Sequence, residues 1–393
     1  MAQHKSPAQG APSAALNGRY AHVKGWGTAN ASIAMHNSEL EKLVDTSHDW
    51  IVERTGISER RIANERESVV TLGVKAAQQA LAKADMLPDE IELIIVATST
   101  PYYYFPSTAC LIQDKLGATN AGAFDIVAAC TGFIYALGLA SAQIKAGGVN
   151  TALIIGTETL SRIMDWQDRS TCILFGDGAG AFVLKVSDAP GGIQDVVMHS
   201  DGSGADLLYA STGIRETWDG DASEQRLYMN GREVFRFATR VMASATHEVV
   251  AKAGLTLDDI DVIVPHQANQ RIIQAAAKTM KLPMERFFVN LDHYGNTSAA
   301  SIPLAIGEAV EKGAIKAQDK IVLVGFGAGL TWGAALLEWD SIEEPPRSAV
   351  RELVRSAWYI LARMRSFLSR VLRFLERVIF RPPGEVYGEK LDK

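Results

Sequence analysis

LAKADMLPDEIELIIVAT (81–98) and VAKAGLTLDDIDVIVPHQ (250–267) are one pattern written twice, at an offset of 169 residues. Ala82, Lys83, Ala84, Asp89 and Ile91 reappear as Ala251, Lys252, Ala253, Asp258 and Ile260. Further on, TALIIGT from Thr151 meets KIVLVGF from Lys320 at the same offset. The apolar runs are β-branched and nearly continuous, as strands buried on both faces are. Helical patterns lie between them, at 132–147 and 301–317. Strands alternating with helices give an α/β fold. The repeat divides the chain into two similar halves, 19–185 and 186–341, with a lead over 1–18 and a tail over 342–393. Two related halves pack about a pseudo-twofold axis, and a site at their seam draws on both.

The chain has 393 residues, 47% hydrophobic and 21% charged, which excludes a disordered or fibrous protein and leaves material for a large core. The net charge of −6 argues against nucleic acid as a partner. That charge is unevenly spread. Residues 347–381 hold nine Arg and two Glu, a balance of +7, so the rest carries −13. Three cysteines point to a reducing compartment without a disulfide framework. The opening residues lack the apolar core of a secretory signal, and no apolar run reaches spanning length. The expected location is the cytoplasm.

Cys130 stands where the strand-like FDIVAA ends and the small-residue helix GFIYALGLA begins. A helix N-terminus offers unpaired N–H groups and the positive end of the macrodipole, which favour a thiolate. Read alone, Cys130 is either a nucleophile or a small buried hydrophobe. Cys110 and Cys172 read as core filler. His266, in DVIVPHQANQ, also sits between a strand and a helix, as a working imidazole or a structural one. Asn296 follows Gly295 in HYGNTSAAS, where Gly permits a tight turn and Ser298 or Ser301 caps the next helix. The same Asn suits a plain turn. The offset matches Cys130 with Ala299, so the Asn loop is the counterpart of the cysteine turn. FGAGLTWG (326–333) has neither the Lys of a phosphate loop nor the dinucleotide context, because it runs into a strand-like segment. GDGAGAFVL (176–184) reads as close backbone packing.

TSHDWIVERTGISERRIA (46–63), AACTGF, DRSTCILFGDGAGA, VPHQANQRI, YGNTSAAS and FGAGLTWG together resemble the thiolase superfamily and, in detail, the β-ketoacyl-ACP synthase III family. The likeness runs from Arg19 to Trp339. It implies the layered αβαβα thiolase fold and an acyltransferase that joins an acyl-CoA primer to malonyl-ACP through an acyl-Cys intermediate, initiating fatty-acid synthesis. It implies Cys130, His266 and Asn296 as catalytic residues, backbone N–H groups of Cys130 and Ala328 as the oxyanion hole, and Phe326 beside the malonyl carboxylate. It places Trp50 and Arg169 around the CoA adenine, with Arg54, Asn269 and Arg271 on its phosphate and pantetheine. Arg236, Arg271 and Lys278 form a basic patch for acidic ACP. No cofactor and no metal is implied, and a homodimer is expected. The aromatic PYYYFPS (101–107), with Tyr102, Tyr103, Tyr104 and Phe105, falls where the acyl pocket is lined across the dimer, so primer length stays open. Ala328 stands where the family's Gly-rich loop has Gly. The alternatives are a related Cys-His-Asn acyltransferase using another acyl chain or acceptor, and a non-catalytic partner recruited to a membrane.

The tail has no counterpart in that likeness. From Leu353 through Ala357, Leu361, Met364, Leu368, Val371 and Leu375 to Val378, apolar residues step by three or four along one helical face. Arg363, Arg370, Arg373 and Arg377 fill much of the rest. Pro345-Pro346 and Pro382-Pro383-Gly384 bound the helix. Three roles suit it: a helix packed on the body or on its dimer mate, a basic amphipathic helix on an anionic membrane, or a handle for another protein.

Overall fold

The computed structural model describes residues 18–210, 226–340 and 349–379. All of the lead but Gly18 lies outside them, as do the prolines on either side of the tail helix. In chain order the strands are β1 (Tyr20–Asn30), β2 (Ile33–His36), β3 (Glu59–Ile62), β4 (Leu93–Ala97), β5 (Gly122–Ile126), β6 (Thr151–Thr159), β7 (Asp177–Ser187), β8 (Gly192–Ser200), β9 (Leu208–Ala210), β10 (Leu227–Met229), β11 (Val262–Pro265), β12 (Lys320–Gly327) and β13 (Thr331–Glu338). One large sheet has the order β1-β7-β6-β4-β5 and a second β11-β12-β13-β8, while β2 pairs with β3 and β9 with β10. Read from its far edge, the second repeats the first. β8-β13-β12-β11 has two antiparallel pairings and then a parallel one, as β1-β7-β6-β4 has. Phe287 completes the match by bridging Ile263 in parallel, as β5 pairs with β4.

The sequence offset holds at three places in the fold. Shifted by the sequence offset, the start of β4 falls on the start of β11, and Thr151 of β6 on Lys320 of β12. The helix Gly132–Lys145 falls on the helix that begins at Ser301. These two helices form the middle layer. Phe133, Ile134, Leu137, Ile302 and Ile306 share one core with Ile95 and Ile154 of the first sheet and Val264 and Leu323 of the second. Helices Val69–Lys83 and Thr108–Leu116 cover the outer face of the first sheet. Helices Gly231–Lys252 and Gln270–Met280 cover that of the second. The result is the five-layered αβαβα arrangement. With a layer on either side, all nine residues of β6 are buried, which is why its sequence does not alternate.

Glycines let the middle layer close on the sheet. A Cβ on Gly156 would stand 2.2 Å from the Ala299 carbonyl oxygen, and one on Gly180 2.6 Å from Pro303 Cβ. The Gly-rich GDGAGAFVL is therefore packing, as its sequence suggests. Cys172 is buried as expected, but Cys110 is exposed: it lies on the outer side of its helix, where its Sγ accepts a hydrogen bond from Ser107.

The tail forms the helix Ala349–Ile379. It docks on the outer layer by a mixed side that carries Arg351, Arg355, Trp358, Tyr359, Ala362 and Ser366. Arg351 and Arg355 pair with Asp85, Trp358 Nε1 donates to the Gly117 carbonyl at 3.2 Å, and Ser366 donates to Asp114 at 2.7 Å. Ala362 is buried at this contact, where a Cβ on Gly117 would meet its methyl at 2.6 Å. Leu353, Leu361, Met364, Leu368 and Leu375 of the apolar stripe legible in the sequence are exposed.

Candidate active site

Cys130 sits in a single turn, Ala129–Thr131, between β5 and the helix Gly132–Lys145. Ala129 takes a positive φ of 47°, which bends the chain so that the cysteine opens the turn. The Gly-rich strip comes against this bend: a Cβ on Gly327 would stand 2.8 Å from the Cys130 nitrogen. Ala328 follows directly. The hydroxyls of Thr131 and Thr331 lie 2.8 Å apart, and reach the carbonyls of Ala128 at 2.6 Å and Ala328 at 2.9 Å. Two hydroxyls thereby tie the cysteine bend of one half to the glycine strip of the other.

His266 follows β11 and is 1% exposed. Its backbone N–H donates to Val324 at 2.7 Å, and its Nδ1 meets Ser301 Oγ at 2.6 Å. Its Nε2 is buried and has no hydrogen-bond partner among the described residues. Phe326 packs edge-on against the imidazole, with centroids 5.4 Å apart. Ser301 was expected as a possible helix cap. The helix carries no side-chain cap, and the hydroxyl serves the imidazole instead.

Asn296 stands after Gly295, whose φ is 66°. Its backbone is fixed on both sides: its N–H donates to Leu174 and its carbonyl accepts from Gly176. Its Oδ1 accepts from the Ser298 N–H at 2.9 Å. That bond fixes the carboxamide plane and leaves Nδ2 as the donating end. Ser298 in turn reaches the sulfur of Cys130. Cys130 and Asn296 thus share Ser298 as a neighbour, while His266 is held by Ser301 and Phe326.

Burial sets their charge. It pushes the Cys130 thiol up to about 12, with the nearby Glu158 carboxylate adding to the effect and the Ser298 hydroxyl opposing it. The resting sulfur is a thiol, contrary to the thiolate expected at a helix start, because desolvation outweighs the short turn's dipole. Burial likewise holds His266 down at about 3, so the imidazole is neutral. Glu158, fully buried, is raised to about 7 by desolvation, although Thr100 Oγ1 at 2.7 Å and the Ser99 N–H at 3.1 Å both donate to it. Sequence reading passed over Glu158 and saw in Ser298 and Ser301 only helix caps. A lone acid closing the apolar run TALIIGT was the signal for the first. The repeat offset, which places Ser298 on Ala129, was the signal for the second.

The other expected residues lie at the surface. The guanidinium carbons of Arg169 and Arg54 sit 4.8 Å and 5.0 Å from the Trp50 ring centroid. A planar ring between Trp50 and Arg169 needs two contacts of about 3.5 Å, so the pair must part to admit one. Asn269 is committed within the protein: its Oδ1 caps the helix from Gln270 and its Nδ2 donates to the Arg54 carbonyl. Arg271 and Lys278 are exposed two turns apart on that helix, and Arg236 is exposed but paired with Glu233 at 2.9 Å. Phe105 is 86% exposed, in a loop with Tyr102, Tyr103 and Tyr104.

Comparison with known proteins gives matches over both halves. The family described as 3-Oxoacyl-[acyl-carrier-protein (ACP)] synthase III matches residues 124–202, and the family of its C terminal matches residues 250–339. The beta-ketoacyl-[acyl-carrier-protein] synthase III of Clostridium acetobutylicum is 53% identical over 306 residues, 77% of this chain and 94% of that protein. The synthase III of Caldanaerobacter subterraneus subsp. tengcongensis is 48% identical over 324 residues, 81% of this chain and 98% of that one. Among solved structures, the 3-oxoacyl-[acyl-carrier-protein] synthase III of Aquifex aeolicus VF5 is similar with a TM-score of 0.77 and 47% identity, over 81% of this chain and 100% of its own. A priming β-ketosynthase of the R1128 polyketide pathway is similar with a TM-score of 0.78 and 37% identity, over 86% of this chain and 100% of its own.

Proposed function

Because this chain belongs to the β-ketoacyl-ACP synthase III family, we propose that Cys130, His266 and Asn296 carry its chemistry, with the backbone N–H groups of Cys130 and Ala328 as oxyanion donors. The protein is an acyltransferase that performs the initiating, decarboxylating condensation of fatty-acid synthesis. Its substrates are an acyl-CoA primer and malonyl-ACP.

In the first half-reaction the Cys130 sulfur attacks the primer's thioester carbonyl. The thiol gives up its proton as the new S–C bond forms, and CoA leaves as its own thiol. Splitting the transfer at a covalent intermediate replaces one hard step with two easier ones. In the second, malonyl-ACP loses carbon dioxide, and the electron pair of the broken bond passes onto the thioester oxygen as an enolate. His266 Nε2 and Asn296 Nδ2 donate to that oxygen. That role puts the imidazole proton on Nε2, so that Nδ1 accepts from the Ser301 hydroxyl. Both donors are neutral, so they act on charge as it develops and offer little to the starting ester. Phe326 keeps water from the carboxylate. The enolate carbon attacks the acyl-Cys130 carbonyl, 3-oxoacyl-ACP departs, and the released sulfur takes up a proton.

One observation carries this reading: a buried imidazole has one ring nitrogen held by Ser301 and the other without a partner among the described residues. We assign Trp50, Arg54, Arg169, Asn269 and Arg271 to CoA, Arg236, Arg271 and Lys278 to ACP, and Phe105 to the acyl pocket of a homodimer working in the cytoplasm. The test is to incubate the protein with acyl-CoA, weigh the intact chain for an adduct, and add malonyl-ACP. The expected adduct maps to Cys130 and is discharged as 3-oxoacyl-ACP. A Cys130→Ser variant that makes product at the normal rate would refute the assignment.

A further inference from the structure

The helix Ala349–Ile379 is docked by one side only. Arg351, Arg355, Trp358, Ala362 and Ser366 face the body. With about 100° of rotation per residue, the opposite side is an apolar arc roughly 160° wide. Leu353 and Met364 run along its centre, Leu368 and Leu361 lie between the centre and one edge, and Val354 and Phe374 mark the edges. All six are exposed, Leu353 to 71%. Arg363 and Arg365 stand just outside the two edges, with no partner among the described residues.

The width and the rim together decide what covers this face. A single partner helix is met by a narrow seam of two positions per heptad, and an arc this wide leaves most of itself wet against one. An extended apolar medium covers it entirely. The arginines flanking the arc, in a segment carrying +7 on a chain otherwise at −13, suit a negatively charged boundary. The helix does not cross a membrane: among the described residues none is long and apolar enough.

We propose that this face rests on an anionic lipid bilayer, with the apolar arc at the acyl boundary and Arg363 and Arg365 against lipid phosphates. The body then hangs from the surface through Asp85, Asp114 and Gly117. The proposal stands on the tail and is independent of the catalytic assignment.

The test is flotation of the full chain with vesicles of phosphatidylethanolamine and phosphatidylglycerol, against vesicles of phosphatidylcholine alone. The protein is expected to float with the anionic vesicles, and less so in high salt. Arg363→Gln and Arg365→Gln are each expected to weaken partition about fivefold. Replacing Leu361, Phe367 and Leu368 together by Gln is expected to abolish flotation, while transfer of an acyl group to Cys130 in solution is unchanged. The proposal is overturned if the unmodified chain stays unbound, or if the triple variant floats as well as the parent. It is equally overturned if the parent's mass in solution is twice that of the triple variant without vesicle binding, since a second copy then covers the face.

Discussion

Ala129 and Ser298 hold the same left-handed backbone, with φ of 47° and 48°, at equivalent places in the two halves. Neither is glycine, so each carries strain of order 1 kcal/mol or more. In the first half the residue after the bend is Cys130. In the second it is Ala299, and the bend instead braces Asn296 through the Ser298 N–H. Ala129→Gly is expected to leave stability unchanged or raise it by up to about 1 kcal/mol, where an ordinary Ala→Gly exchange costs about 0.5–1 kcal/mol. Urea denaturation reads this directly, and a loss of the ordinary size would mean that the bend is not strained.

Ser301 is a positioning residue: it touches the imidazole and acts through it. Ser301→Ala frees the ring and its tautomer. Decarboxylation of malonyl-ACP is then expected to slow by about tenfold or more, as the donor to the developing oxyanion loses its aim. Formation of acyl-Cys130 should keep its rate. Timing the half-reactions separately checks this, and equal slowing of both would point to a general structural fault.

Two buried groups titrate against each other. The folded state holds His266 near 3, below its ordinary 6.5, so its contribution to stability is present above pH 6.5 and is lost as pH falls toward 3. Glu158 is raised from 4.5 to about 7, so its contribution is present below pH 4.5 and is lost as pH rises toward 7. Between pH 4.5 and 6.5 the slopes oppose, each worth roughly 1.4 kcal/mol per pH unit. Relative to the parent, His266→Ala should therefore lose stability as pH rises through that window, and Glu158→Gln should gain it. Denaturant midpoints across the window test this. Parallel curves for the two variants would remove both shifts.

The Cys130 thiol, held near 12, should resist alkylation at neutral pH and react faster with each step of pH beyond 9. Glu158→Gln removes a neighbouring negative charge and should speed the reaction at pH 8. Iodoacetamide labelling followed by mass measurement of the Cys130 peptide provides the rate. A plateau already reached at pH 8 would contradict a buried, protonated sulfur.

The α/β class and its doubling were legible because one period governs both halves, and buried strands advertise themselves as unbroken apolar runs. Cys130, His266 and Asn296 stood out because each ends a strand or a turn, where side chains can meet at a seam. The state of the sulfur was not legible. Sequence shows the helix start that favours thiolate, while the desolvation that defeats it depends on how closely the glycine strip at Gly327 approaches. The docked side of the tail was hidden for a related reason. An apolar stripe normally faces the core, and here Trp358 and Ala362 fit over Gly117 so closely that the side opposite the stripe wins the contact. Cys110 misled because its neighbours in TACLIQ are apolar, although its own helical position faces outward.

The Thr131 and Thr331 hydroxyls, 2.8 Å apart, give the doubling a cost in evolutionary freedom. The sulfur's cradle is a joint inheritance, with one wall from each twin. Drift in either copy is felt at once by the other, so the pair must change in step or lose the reaction together.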